Sequence, residues 1–167
     1  MDENFLSNSS PFSLASFMSR ALAKYVAKLS LKEDLHVLSF LQGHEISIDE
    51  PKSLGGTNKG PSPIELLLAA LGGCQIITLA FFAKRSNVKL KRVETVVEGY
   101  LDPRGFMGVS GVRPGFQKIR ISTKIQAEGP SDKIRELVKI AEERCPVNDN
   151  IRNNTLIESS VETNCDV

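Results

Sequence analysis

At 167 residues the chain suits a single domain with one core, burying about 70% of the surface its unfolded form exposes. Its 21 Lys and Arg against 20 Asp and Glu, interspersed along the chain, leave a formal charge of +1 and exclude partners held by net charge, such as nucleic acid or an anionic membrane. Three widely spaced cysteines form neither a secreted disulfide framework nor a Cys-x-x-Cys zinc site, and fit a reducing, cytoplasmic compartment with reactive thiols.

Residues 1–24 are expected to be a leader, partly disordered or a short helix. They open on acids and hold no continuous apolar run, so they do not read as a signal peptide. Leu14, Phe17, Met18, Leu22 and Tyr25 are spaced for a helical turn or a lead into the first strand. The domain is expected over 25–167. Residues 25–32 (YVAKLSLK) alternate in period two, Glu33-Asp34 turns the chain, and 35–41 (LHVLSFL) returns. After Gln42-Gly43 a third strand runs through Ile46 and Ile48 until Pro51 ends it. His36 and His44 fall on these strands with no cysteine nearby, so they read as strand residues, and neither a metal nor another cofactor is expected. Residues 55–61 (GGTNKGP) form a turn-rich connector. Such a loop before a helix can bind phosphate, but it matches neither Gly-x-x-x-x-Gly-Lys nor Gly-x-Gly-x-x-Gly.

Residues 60–87 (GPSPIELLLAALGGCQIITLAFFAKRSN) make the longest apolar run. Ser62 suits the N-cap, Pro63 the first helical position and Glu65 the far half of a capping box. Lys84 and Arg85 complement the dipole at the far end, where Asn87 can turn left-handed. Between the ends only Glu65, Gln75 and Thr78 are strongly polar, which predicts a helix buried on nearly every side. Leu66, Leu67, Leu68, Leu71, Ile76, Ile77, Leu79, Phe81 and Phe82 would form the core, and Ala69, Ala70, Gly72 and Gly73 would admit a second backbone. The run is long enough to cross a bilayer, but Gly72-Gly73, Gln75 and Thr78 interrupt it and no other segment is comparably apolar, so no membrane is expected.

Residues 88–101 (VKLKRVETVVEGYL) read as a long strand, with Val93, Val97 and Leu101 on one face and Val96 and Tyr100 on the other. The Gly-, Pro- and Arg-rich loop 102–115 is either an ordinary hairpin tip or a cover for a site, and 116–127 (FQKIRISTKIQA) is the returning strand. Residues 131–144 place Ile134, Leu137, Val138 and Ala141 on one stripe of an amphipathic helix, with Ser131 as cap candidate. Cys145 follows, Pro146 opens a short helix, and 155–164 (TLIESSVETN) suggests a last strand. The order is three strands, a central helix, two strands, two helices and one strand, an α+β fold.

Cys74 lies mid-helix, away from the positive end of the dipole. It is either a small core hydrophobe or, beside a cation, a reactive thiolate. Cys145 precedes Pro146, where it can cap the short helix and meet free N–H groups that favour a thiolate. Cys165, near the carboxyl end, is expected to be an exposed spectator.

The pair of motifs PSPIELLLAALGGC and AEERCPVNDNIRN resembles the OsmC/Ohr family, the osmotically inducible and organic-hydroperoxide-resistance proteins, and the order of elements fits over about residues 25–161. That resemblance implies an OsmC-like fold and an intertwined homodimer with exchanged strands and two central helices side by side. It implies thiol-dependent reduction of organic hydroperoxides, with Cys74 as the attacking thiol, Cys145 as the resolving one and a dithiol as reductant. Apolar walls around Cys74, Leu71 among them, would take the alkyl body of the substrate.

Two departures qualify the carry-over. The family pairs its reactive thiol with an arginine from the early strands, and this chain has none between Arg20 and Arg85. Lys28, Lys32, Arg104 and Arg113 are the candidate substitutes. The family's orienting glutamate would fall at Ile64, whereas Glu65 stands one position later and is either a cap or a site residue. Nine residues of straight helix set Glu65 and Cys74 on opposite faces and roughly 13 Å apart along the axis, so a site role for Glu65 would be in a partner subunit. The competing expectation is a non-catalytic dimer of the same fold that holds a small hydrophobic ligand.

Overall fold

The computed structural model describes residues 22–164, so most of the expected leader, and Cys165, lie outside the described residues. Three strands come first, β1 (Lys28–Glu33), β2 (His36–Leu41) and β3 (His44–Ile48), antiparallel in that spatial order. Polar residues and glycine take the left-handed backbone of the turns: Asp34 at φ 45° between β1 and β2, Gln42 and Gly43 at φ 47° and 87° between β2 and β3. Leu38 pairs with Ser47 and Val37 with Ile48 across the second hairpin.

The connector from β3 to the long helix is tied by one carboxylate. Asp49, buried at the end of β3, accepts hydrogen bonds from the N–H groups of Glu50 (2.8 Å), Thr57 (3.1 Å) and Lys59 (3.0 Å) and from the Thr57 hydroxyl. Burial by itself would raise its pKa, but these donors hold it well below the usual carboxylate range. Its own N–H donates to the Pro61 carbonyl at 3.2 Å. Gly60 is required where the connector crosses β3, since a Cβ there would sit 2.1 Å from the Ser47 carbonyl oxygen.

Helix α1 (Pro63–Arg85) starts as its sequence dictates. Glu65 N–H donates to Ser62 Oγ at 3.4 Å, while Ser62 N–H and hydroxyl both donate to Glu65 Oε2 at 2.8 Å, closing the capping box with Pro63 at the first position. At the other end Asn87 turns left-handed at φ 53° and Val88 N–H reaches back to the Ala83 carbonyl at 3.1 Å. The chain continues as β4 (Lys89–Tyr100), a short helix α2 (Pro103–Phe106) within the long loop, β5 (Lys118–Glu128), α3 (Ser131–Arg144) and α4 (Pro146–Arg152). Ser131 is the first residue of α3 rather than its cap; Pro130 holds that position without a side-chain bond.

Strands β4 and β5 form a separate antiparallel sheet, with Thr95 opposite Thr123 and a bulge between Leu90 and Arg92. Alternation turns Leu90, Val93, Thr95 and Val97 toward α1 and leaves Val96 and Tyr100 on the outer face. Leu79 and Ala83 of α1, Val88, and Leu137 and Ala141 of α3 make the core, flanked by Val93, Ile125 and Val138. Gly72 lets helix and sheet pack closely: an added Cβ would stand 3.0 Å from Val97 Cγ2.

Two expectations need correction. The central helix is not wrapped on all sides by its own chain. Leu71, Gly72, Gln75, Leu79 and Ala83 are buried, while Ile77 is 71% exposed and Ile64, Leu67 and Phe81 stand at least 40% in solvent. One sheet and two short helices cover only one side of a cylinder, and the β1–β2–β3 sheet lays no face on α1. The last strand is likewise missing from the described residues. Residues 153–164 pair with no strand, and Leu156, Ile157 and Val161 are more than 80% exposed. Their alternation suits a sheet, but within the single chain they lie along no strand edge.

Candidate active site

The two cysteines predicted as a working pair meet. Cys74 stands mid-way along α1, half-buried, and fully buried Cys145 ends α3 and caps α4, which packs against α1. Pro146 pre-sets the first turn of α4, and Asn148 N–H donates to Cys145 Sγ at 3.4 Å. Asn148 also donates from Nδ2 to the Glu142 carbonyl at 2.7 Å, which fixes α4 to the last turn of α3. Both Asn148 bonds lie at the junction that carries Cys145.

Cys145 does not behave as its capping position alone suggests. Its pKa is pushed up from an ordinary value near 9 to about 11, first by burial and then by the Cys74 thiol beside it, which acts as hydrogen-bond partner and through charge. The N–H groups of Asn148 and Val147 pull the other way and lose. A helix of seven residues has a weak dipole, and removal from water outweighs it. Cys145 is therefore a proton-bearing thiol near neutral pH, a donor toward Cys74. No arginine or lysine figures among the groups acting on it.

The other expected site residues are dispersed. Glu65 closes the capping box, and the Ser62 N–H and hydroxyl hold its carboxyl below the usual range. It also lines an open groove with Leu68, Gly72, Thr95 and Val97, on the sheet side of α1. Arg104 is engaged by its neighbour: its Nε donates to both oxygens of Asp102 at 3.0 Å, which lowers the Asp102 pKa and raises that of the guanidinium. Arg113 donates to the Phe116 carbonyl. Both arginines thus brace the loop between β4 and β5, and the chain by itself does not bring them to the thiols. Lys28 and Lys32 lie on exposed β1. Leu71, one turn before Cys74, is only 1% exposed and is a packed residue rather than an open wall.

Sequence reasoning passed over two residues that the fold makes prominent and gave a third no role in a site. Asp49 and Asn148 are short polar groups whose partners are set by loop geometry, and only an Asp before a Pro- and Gly-rich stretch hinted at the first. Gln75 stood out as a polar break in the apolar helix, and the structure buries it.

Comparison with known proteins agrees with this architecture. A family-wide sequence model described as OsmC-like protein matches residues 56–160. The uncharacterized protein YmaD of Bacillus subtilis is 29% identical over 117 residues, 67% of this chain and 74% of its own length. A hydroperoxide reductase of Mycoplasma pneumoniae is 24% identical over 130 residues, 77% of this chain and 87% of that one. Among solved structures, the OsmC-like protein from Mycoplasma pneumoniae superposes with a TM-score of 0.68 at 21% identity, covering 79% of this chain and 89% of its own. An organic hydroperoxide resistance protein from Legionella pneumophila gives 0.57 at 24% identity, covering 81% and 93%. With more than half its length matched, carrying both cysteine motifs, this chain belongs to the OsmC-like protein family.

Proposed function

We propose that the protein is a cytoplasmic, homodimeric, thiol-dependent reductase of organic hydroperoxides. The observation that carries this reading is the juxtaposition of half-buried Cys74 with a buried Cys145 that keeps its proton. Attack is assigned to Cys74, which is half-buried on the apolar helix where an alkyl peroxide can reach it, whereas Cys145 is fully buried and burial pushes its pKa up. The Cys74 thiolate attacks the terminal peroxide oxygen, the O–O bond breaks, and the alkoxide leaves as an alcohol after taking a proton. Cys74 is then a sulfenic acid. Cys145 sulfur displaces its hydroxyl, which departs as water with the Cys145 proton, and the resulting disulfide is reduced by exchange with a cellular dithiol. Similarity to a hydroperoxide reductase and to an organic hydroperoxide resistance protein supports the substrate class.

The dimer is supported by what one chain leaves open. Leu67, Ala70, Cys74, Ile77 and Phe81 follow at three- and four-residue steps and share one face of α1, three of them large exposed apolar residues. A second copy of α1 would cover them and bring the site under shelter.

Peroxide consumption with a dithiol tests the proposal. Cys74→Ser abolishes it, whereas Cys145→Ser consumes about one equivalent per site and leaves a trappable sulfenic acid on Cys74. Wild-type turnover in Cys74→Ser, or an active protein without a Cys74–Cys145 disulfide after peroxide, sinks the assignment. The competing reading, a non-catalytic carrier of a small hydrophobic ligand, is favoured by the engagement of Arg104 and Arg113 within their own loop. Mass spectrometry of small molecules extracted from the purified protein, beside the same assay, separates the two.

A further inference from the structure

We propose that a cavity of about 220 Å³ between α1, the β4–β5 sheet and α3 is a second binding site, separate from the thiols, for a small aliphatic primary ammonium compound. Neither cysteine lines it. Its walls are apolar, with Leu79, Val93 and Val138 among them, and three polar features converge on the space. Gln75 lines it while only 8% exposed, and its amide makes no hydrogen bond among the described residues. Thr95 Oγ1 and Thr123 Oγ1 lie 3.0 Å apart across β4 and β5, and each hydroxyl oxygen retains an acceptor lone pair. Glu142 is the only charged residue in the lining and takes part in no ion pair among the described residues.

The chemistry of the ligand follows from these groups. The Gln75 amide lines the space without a partner among the described residues, so an occupant can hydrogen-bond it. The amide oxygen, two hydroxyl oxygens and one carboxylate offer acceptors, and the charged residue of the lining is the acidic Glu142, so a cationic head with several N–H donors fits better than an anion. The volume equals about seven waters at ~30 Å³ each, below the ~300 Å³ at which drug-sized pockets begin. A six-carbon chain with an ammonium head is of that size.

Calorimetric titration of the full-length, reduced protein with n-hexylammonium chloride tests the site, with n-hexanol and sodium hexanoate as comparisons. Saturable binding at one equivalent per chain is expected, with hexanoate at least tenfold weaker. Gln75→Leu weakens hexylammonium by about tenfold or more, since the hydrogen bond to the amide is removed. Glu142→Gln weakens hexylammonium by about fivefold, as for an exposed ion pair, and leaves hexanol unchanged. Val138→Phe, which fills the space from α3, blocks both, so the test stands even where Gln75→Leu folds poorly. The absence of saturable hexylammonium binding, equal binding of hexanoate, or binding that survives Val138→Phe in a folded protein overturns the proposal.

Discussion

At the scale of single residues, burial decides what Cys145 and Asp49 do. Cys145 keeps its proton because its surroundings stabilise the neutral thiol more than seven residues of helix stabilise the thiolate. A folded pKa raised from near 9 to about 11 adds stability that is complete below pH 9 and lost as pH rises toward 11. The thermal midpoint of the reduced protein should therefore fall across that interval, by the equivalent of roughly 2–3 kcal/mol at most. In Cys145→Ala that part of the slope disappears, which alkaline melts of the two proteins would show. Asp49 has the opposite sign. Its carboxylate is stabilised in the fold, so its contribution is present above pH 4 and lost on acidification through its depressed folded pKa. Asp49→Asn is expected to lower the midpoint by several degrees at neutral pH and to flatten the acid limb, as measured by calorimetry from pH 3 to 7. A flat acid limb already in the wild type would remove the latch from Asp49. The two cysteine motifs were legible because they are local, while Asp49 was not, because its donors at Thr57 and Lys59 assemble only when the connector closes.

Among the elements, α1 shows where local sequence is sufficient. Its cap, its proline and its left-handed exit at Asn87 all stand where the sequence predicts them, because these interactions span fewer than five residues. Ser62→Ala is expected to cost about 1 kcal/mol, read from denaturant melts. Glu65→Gln keeps a residue able to close the box, so stability should change by only a few tenths of a kcal/mol. If Glu65 also serves a partner's thiol, the same substitution lowers kcat/KM for an alkyl hydroperoxide severalfold in a protein of unchanged midpoint; unchanged kinetics would leave capping as its sole role. The long β4–β5 loop shows the reverse case. Its composition announced a turn-rich segment, but the short helix α2 and the Asp102–Arg104 and Arg113–Phe116 contacts depend on how the loop folds on itself.

For the whole molecule, the exposed stripe of α1 and the unpaired segment 153–164 carry one expectation, a second copy. Sedimentation should give a dimer at micromolar concentration, and Ile77→Lys should shift it to monomer by burying an unpaired charge between helices while leaving the chain's own core of Leu79, Ala83 and Leu137 intact. A wild-type monomer, or a dimer indifferent to Ile77→Lys, would require another cover for that face. The sequence by itself determined five strands, the ends of α1, the two cysteine motifs and the family, since period, capping and motif spacing are properties of neighbouring residues. Only the tertiary structure decided that Cys145 is the fully buried member of the pair, with its pKa pushed up, that Arg104 and Arg113 are held in their own loop, and that Gln75 faces a cavity. Each depends on which distant surfaces close over a side chain, and desolvation is a sum over those surfaces that no local pattern records.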